Sequence, residues 1–199
     1  MIKGGAYAPP FSLGGKMREY VTMLAIYMAA LTPIFALASL VYAKICRKER
    51  KKSYHWIVGL FGAYISFLLS FTLLQNGTQP LPGKSVIEQA LYRIESGMMI
   101  NLVPFRTIKA YFDAAGELFS INILGNVLIF SPLGFMLPII SRKINRLWKV
   151  TACAASLSLS IEILQLFVGR STDIDDLILN TAGGTIGYAA YVFFKKVIR

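Results

Sequence analysis

Apolar residues fall into five long runs, at positions 21–43, 57–74, 118–141, 150–168 and 177–194. Polar and charged residues are concentrated between them. A hydrocarbon layer about 30 Å thick is crossed by roughly 20 apolar residues in helical conformation. Each run comes close to that length or exceeds it, and together they predict five membrane-spanning helices. Four runs hold no charged residue, and the fourth holds one, Glu162. The expected fold class is therefore all-α, a polytopic helix bundle in a membrane.

The segments between the runs refine this picture. Residues 1–19 contain four glycines and two adjacent prolines, which predicts a flexible tail. Residues 20–74 form a first hairpin around the basic loop 44–54. Residues 75–117 form the one long loop, and its pattern is helical in two places. Ser85-Val86-Ile87-Glu88 reads as a capping box. Ile87, Leu91, Ile94 and Met98 follow at helical spacing, with Gly97 as a stop. Farther on, Ile108, Tyr111, Phe112 and Ala115 share one face. Both pieces are expected to be interfacial helices. Residues 98–105 are apolar but too short to span, and are expected to lie beside the third and fourth helices.

Composition and charge change the picture by fixing orientation. The chain of 199 residues is 55% hydrophobic and 16% charged, with mean hydropathy +0.57. A soluble domain has about 25% charged residues. The net charge of +11 is distributed at helix ends, so it does not indicate nucleic acid. Residues 44–52, 142–149 and 195–199 carry 13 Lys and Arg against one acid, Glu49. The opposite side carries 8 basic and 8 acidic residues. The positive-inside rule then places the N-terminus outside and the C-terminus, with the basic tail 195–199, in the cytoplasm. Trp56 and Trp148 sit where the second and fourth helices meet that interface. Cys46 and Cys153 lie near the same reducing side, so no disulfide is expected. The one histidine, His55, is also there, which excludes a histidine-based site on the outer face.

The candidate chemistry lies at the outer face. Asn122 and Asn126 are four residues apart on the third helix, and Glu162 and Gln165 are three apart on the fourth. Asp176 and Asn180 are four apart on the fifth. Glu162 sits roughly 9 Å inside its helix end at 1.5 Å per residue. The cytoplasmic halves offer nothing comparable beyond Ser156, Ser158 and Ser160. A carboxylate in hydrocarbon faces a bundle interior or a wet cavity. Its expected partners are Asn122, Asn126, Asn180 and Arg170. In the loop 169–176, Thr172 is expected to cap the fifth helix, with Asp175 in its first turn. The acids there supply oxygen ligands of the kind Ca²⁺, Mg²⁺ or Mn²⁺ take, but not at EF-hand spacing, and no metal or other cofactor is expected. Gly183 and Gly187 form a small-residue face for close helix packing. Pro132 removes a backbone hydrogen bond at mid-membrane, which Ser131 is expected to offset in part.

Four blocks in order carry a resemblance: Asn101-Leu-Val-Pro-Phe105, the stretch from Asn122 through Asn126 and Pro132 to Phe135, Ser160-Ile-Glu162-Ile-Leu-Gln165, and Gly169-Arg170-Ser-Thr-Asp173-Ile-Asp175-Asp176 continuing to Asn180 and Gly184. Over residues 98–190 the chain resembles the VanZ-like family, whose core would occupy 98–194. The resemblance implies a bacterial plasma-membrane protein. It also implies a phenotype, because the family's name-giving member lowers susceptibility to the lipoglycopeptide teicoplanin with little effect on vancomycin. It supplies no reaction.

Three functions fit these residues. In the first, the protein is not an enzyme and engages a lipid-linked cell-wall precursor or an acylated glycopeptide. Its ligand-binding residues would be Asn101, Phe105, Arg106, Asn122, Asn126, Gln165, Arg170, Asp173, Asp175 and Asn180. In the second, an outer-leaflet enzyme uses Glu162 and Asp176 as catalytic groups on a lipid-linked or glycan substrate, with Arg170 gripping phosphate or carboxylate. The third is a small lipid or solute transporter, which calls for polar residues through the whole thickness. The expected partners throughout are membrane lipids.

Overall fold

The computed structural model describes residues 52–74, 83–97, 99–113 and 117–197, with positions 32–34, 36, 37, 40 and 41 of the first apolar run and position 44 just after it. The expected tail 1–19 lies outside the described residues, as does most of the expected first span. Four helices among the described residues are long and apolar enough to cross a membrane. They are α1 (Lys52–Leu74), α4 (Glu117–Ile140), α5 (Leu147–Val168) and α6 (Ile174–Val197). The shorter elements are α2 (Val86–Ser96), α3 (Arg106–Asp113), a 3-10 turn (Arg142–Ile144) and two two-residue strands, β1 (Ile100–Asn101) and β2 (Thr172–Asp173). The protein is an all-α helical membrane bundle. Where the first run is described it packs on α1: the Thr32 hydroxyl donates to Ser66 Oγ at 3.2 Å, and Leu40 lies beside Gly59.

The closest pair of helices is α4 and α6, and glycine makes that approach possible. A Cβ built on Gly183 would overlap the Val127 carbonyl, and one on Gly187 the Ser131 carbonyl. Conversely, a Cβ on Gly134 would overlap the carbonyl of Gly184. The small-residue face predicted from Gly183 and Gly187 is therefore met by the backbone of α4. Lipid offers no hydrophobic drive for helices to associate, so such van der Waals contact carries the association. Helix α5 packs against the other side of α6, where Ala154 meets Gly184. Phe130, Leu133, Leu68, Ala154 and Ile161 form the buried core between α1, α4 and α5.

Helix α4 continues through Pro132 and Pro138. The carbonyl whose usual donor Pro132 lacks is that of Leu128. The Ser131 hydroxyl does not serve it as expected, but bonds its own helix at Val127 O, 2.8 Å away. One residue along, Tyr64 of α1 donates to Ile129 O at 2.7 Å. Tyr54, at the start of α1, donates to Ile140 O at 3.0 Å and fixes the other end of α4.

The described part of the segment between α1 and α4 is ordered by caps. Ser85 and Glu88 form the predicted capping box, and Gly97 ends α2 in the left-handed conformation at φ 62°. The Ser85 N–H and hydroxyl hold the Glu88 carboxyl below the usual carboxylate range. Helix α2 turns Gln89, Ala90 and Arg93 toward the bundle, while Ile87, Leu91 and Ile94 are exposed. Arg93 donates to Leu166 O at 2.8 Å, a cation on the last-turn carbonyls of α5, where the helix dipole favours it. In α3, Ile108 and Tyr111 are half-buried, but Phe112 is 61% exposed rather than sharing their face.

Candidate functional site

Helix α5 stops at Gly169, which adopts φ 78° and donates to Gln165 O. The chain then doubles back through β2 and enters α6. This turn brings the acids of α6 above Glu162. Strand β2 pairs in parallel with β1, Ile100 opposite Thr172 and Asn101 opposite Asp173. The apolar segment around 99–105 therefore does lie at the polar cluster, joined to the loop between α5 and α6 rather than lying along α4 and α5. Two residues of pairing are too few to leave a pattern in the sequence.

Each acid in the loop has a distinct role. Asp173, not Thr172, caps α6: its Oδ1 accepts the Asp175 N–H at 2.9 Å. Thr172 is instead committed to the strand, and its hydroxyl donates to Glu162 O at 3.1 Å. Asp173 also accepts from Asn101 Nδ2 at 2.9 Å and from the Thr107 hydroxyl. Asp175 is fully buried and receives three backbone N–H groups: Phe105 on Oδ1 at 2.5 Å, and Thr107 at 2.7 Å and Ile108 at 3.0 Å on Oδ2. An anion at a helix N-terminus satisfies donors that the helix itself leaves unpaired. Asp175 therefore nails the start of α3 to the start of α6. It also holds Phe105 at φ 64°, a left-handed conformation that costs a bulky residue on the order of 1 kcal/mol or more.

Glu162 is 4% exposed. Its Oε2 accepts the Asp173 N–H at 2.9 Å, so its partner is β2 backbone and not the asparagines expected. Asn126 pairs instead with Asp176, Nδ2 to Oδ1 at 2.6 Å. Asn180 lies a turn deeper and donates to Ser158 at 2.9 Å. Gln165 Nε2 donates to Thr72 O at 3.0 Å, and Arg170 donates to the same carbonyl. Together they cap the C-terminal end of α1. Asn122 is half-buried one turn outward from Asn126. The side chains of Phe105 and Arg106 are exposed.

The structure thus gathers Asn101, Asp173, Asp175 and Glu162 into one network, with the Asp176–Asn126 pair beside it on α6 and α4. It separates Asn180, which belongs to the α5–α6 seam, and Arg106, which points outward. Thr107 and Thr72, which were not singled out from sequence, complete these contacts together with Ser158. Nor was a continuation toward the basic end. Thr151 and Thr185 are hydrogen-bonded at 3.0 Å, and Tyr188 reaches Asn145 at 3.4 Å. The expectation that the cytoplasmic halves offer only scattered serines is therefore corrected. Thr151, Ala154, Ser158 and Glu162 recur every three or four residues, so the seam was readable had threonines been counted with the amides.

This arrangement decides what remains for a ligand. Asp175 accepts three N–H groups, and Asp173 an amide, a hydroxyl and a backbone N–H. Both are committed chiefly to holding the loop, each with three of its four or so lone-pair sites engaged. Among the described residues, no group of three or more His, Cys, Asp or Glu could hold a metal ion. Glu162 and Asp176 each have one oxygen engaged, and a carboxylate offers about four lone-pair sites. They suit hydroxyl, amine or amide donors. Immediately outside stands the ordered apolar loop, with Leu102 68%, Val103 56% and Phe105 61% exposed.

A family model described as VanZ/LLP1 matches residues 61–195. The match reaches from within α1 to the last turn of α6, well beyond the blocks that carry the sequence resemblance. The chain is also similar to Protein VanZ of Enterococcus faecium, at 36% identity over 98 residues. That alignment covers 49% of this chain and 55% of the relative, so the chain spans about half the length of that curated relative. No solved structure matches.

Proposed function

The chain belongs to the VanZ/LLP1 family, and on that premise we propose that it lowers teicoplanin susceptibility by engaging an acylated ligand at the outer leaflet. The ligand is the lipoglycopeptide itself or a lipid-linked cell-envelope precursor. The bundle lies in a bacterial plasma membrane with its C-terminus in the cytoplasm, as the charge asymmetry indicates. One observation carries this reading. The clamp by Asp173 and Asp175 fixes an exposed apolar loop, Leu102 to Phe105, against a cluster where Glu162 and Asp176 keep acceptor capacity. Apolar surface beside hydrogen-bond acceptors suits an amphiphile: an acyl chain along the loop, and a hydroxyl- or amine-bearing body at the carboxylates.

The test is binding to purified protein in nanodiscs. Teicoplanin is expected to bind at least about tenfold more tightly than its deacylated form or vancomycin, an advantage of about 1.4 kcal/mol or more. Leu102→Ser with Phe105→Ser is expected to erase that difference. Equal binding of all three glycopeptides would contradict the proposal. A second reading, an outer-leaflet enzyme, draws on the burial of Glu162 at the cluster's rim. It predicts turnover of a lipid-linked substrate that is lost in Glu162→Gln.

A further inference from the structure

At the other end of the bundle, α1, α4 and α6 enclose an apolar groove of about 650 Å³. That lies within the range of small-molecule sites, about 300–1,000 Å³. Ile57 and Leu60 of α1 form one wall, and Phe135 and Ile139 of α4 the other. Gly187 and Ala190 of α6 form the floor, and their small size is what leaves it open. From Leu128 at its upper end to Ile139 at its lower end the groove follows eleven residues of α4, about 16 Å along the axis at 1.5 Å per residue. It begins two residues along α4 from Asn126 and runs toward the end of the bundle that carries the basic loops.

The mouth at that end is cationic. Three residues after Ile139 begins the 3-10 turn that carries Arg142 and Lys143, both exposed. Phe135, in the wall, packs edge-on against Tyr191 with ring centroids 6.2 Å apart. Lys195 lies over the Tyr191 ring at 5.7 Å. Two cations on the turn after α4 and one near the end of α6 therefore lie at the end of the bundle where the groove runs out. Neither the stretch 139–150 nor the stretch 188–199 contains an acid.

We propose that this groove binds one acyl chain of an anionic phospholipid from the leaflet at the basic end, with Arg142, Lys143 and Lys195 holding its phosphate. The charge decides among occupants. A zwitterionic lipid fills the groove equally well but gains little from three cations, and a second copy of this chain would bring its own cations to the same place. Each Lys or Arg near an anionic headgroup favours it about fivefold. The site is independent of the outer cluster and of any antibiotic.

Full-length protein is purified, stripped of lipid in detergent, and offered equal amounts of phosphatidylglycerol and phosphatidylcholine with identical chains. Native mass spectrometry then counts what is retained. Wild type is expected to retain phosphatidylglycerol at least about fivefold over phosphatidylcholine. Arg142→Gln with Lys143→Gln and Lys195→Gln, all at exposed positions, is expected to remove the preference while leaving chain binding. Ala190→Phe, which fills the floor, is expected to lower retention of both lipids at unchanged melting temperature. If Ala190→Phe does not fold, Leu60→Trp at the exposed rim replaces it. Equal retention of the two lipids by wild type would overturn the proposal. So would a phosphatidylglycerol preference that survives the triple charge change, or a lipid-free dimer in its place.

Discussion

Gly187→Leu is expected to stop the protein from accumulating in folded form. A Cβ at this position would overlap the Ser131 carbonyl of α4, and the next nearest atoms are also α4 backbone. Backbone cannot swing aside as a flexible side chain can, so the two helices must separate. Overpacking a core usually costs about 1–3 kcal/mol. Here the contacts at Gly183 and Gly134 are lost with it, which puts the cost at or above about 3 kcal/mol. Against a total stability of about 5–15 kcal/mol, this depletes the folded pool. The measurement is membrane yield of a C-terminally tagged protein and its melting temperature in detergent. Gly125→Ala is the internal control, because a Cβ there meets nothing within 4 Å. It is expected to be neutral or slightly stabilising, since alanine favours helix over glycine by up to about 1 kcal/mol. Wild-type yield and melting temperature in Gly187→Leu would contradict the interface described for α4 and α6.

The second large effect is local. Asp175→Asn keeps the shape of the side chain but turns one acceptor into an NH₂ donor. Either the Phe105 N–H or the Thr107 and Ile108 pair then faces a donor in a fully buried place. Hydrogen bonds to a charged group contribute about 1.5–3 kcal/mol, and the strained Phe105 relaxes once released. The start of α3 and strand β1 are expected to detach while the spans stay folded. Hydrogen–deuterium exchange reads this directly. Residues 99–113 lose protection, and α4, α5 and α6 keep theirs. Unchanged protection at 105–108 would show that Asp175 is not the clamp.

These two cases show why parts of the molecule were legible in sequence and others were not. Spans and their glycine face follow from composition within one helix, and Gly183 and Gly187 are four apart on a single surface. The capping box at Ser85 is likewise a local code. The role of Asp175 is set by chain 67 to 70 residues away, at Phe105, Thr107 and Ile108, and no periodicity reports such a contact. The same holds for Arg93, which ends on a carbonyl 73 residues distant. Thr172 illustrates competition: capping chemistry favoured it, but strand pairing with Ile100 drew it away and left the cap to Asp173. The depth of Glu162 was readable, whereas its partner was not, because a backbone N–H has no residue type to search for.

The central claim is that Glu162, Asp176 and their neighbours form a ligand site rather than a set of bonds between helices. Growth inhibition by teicoplanin and vancomycin in a susceptible Gram-positive host tests it most directly. The host expresses wild type, Glu162→Gln or Asp176→Asn at matched membrane levels. Both substitutions are near-isosteric, and the membrane levels report whether folding is intact. Selective protection against teicoplanin by wild type, lost in both variants, is the predicted result. Protection that persists in both variants would contradict the claim and reduce the cluster to contacts that hold α4, α5 and α6 together.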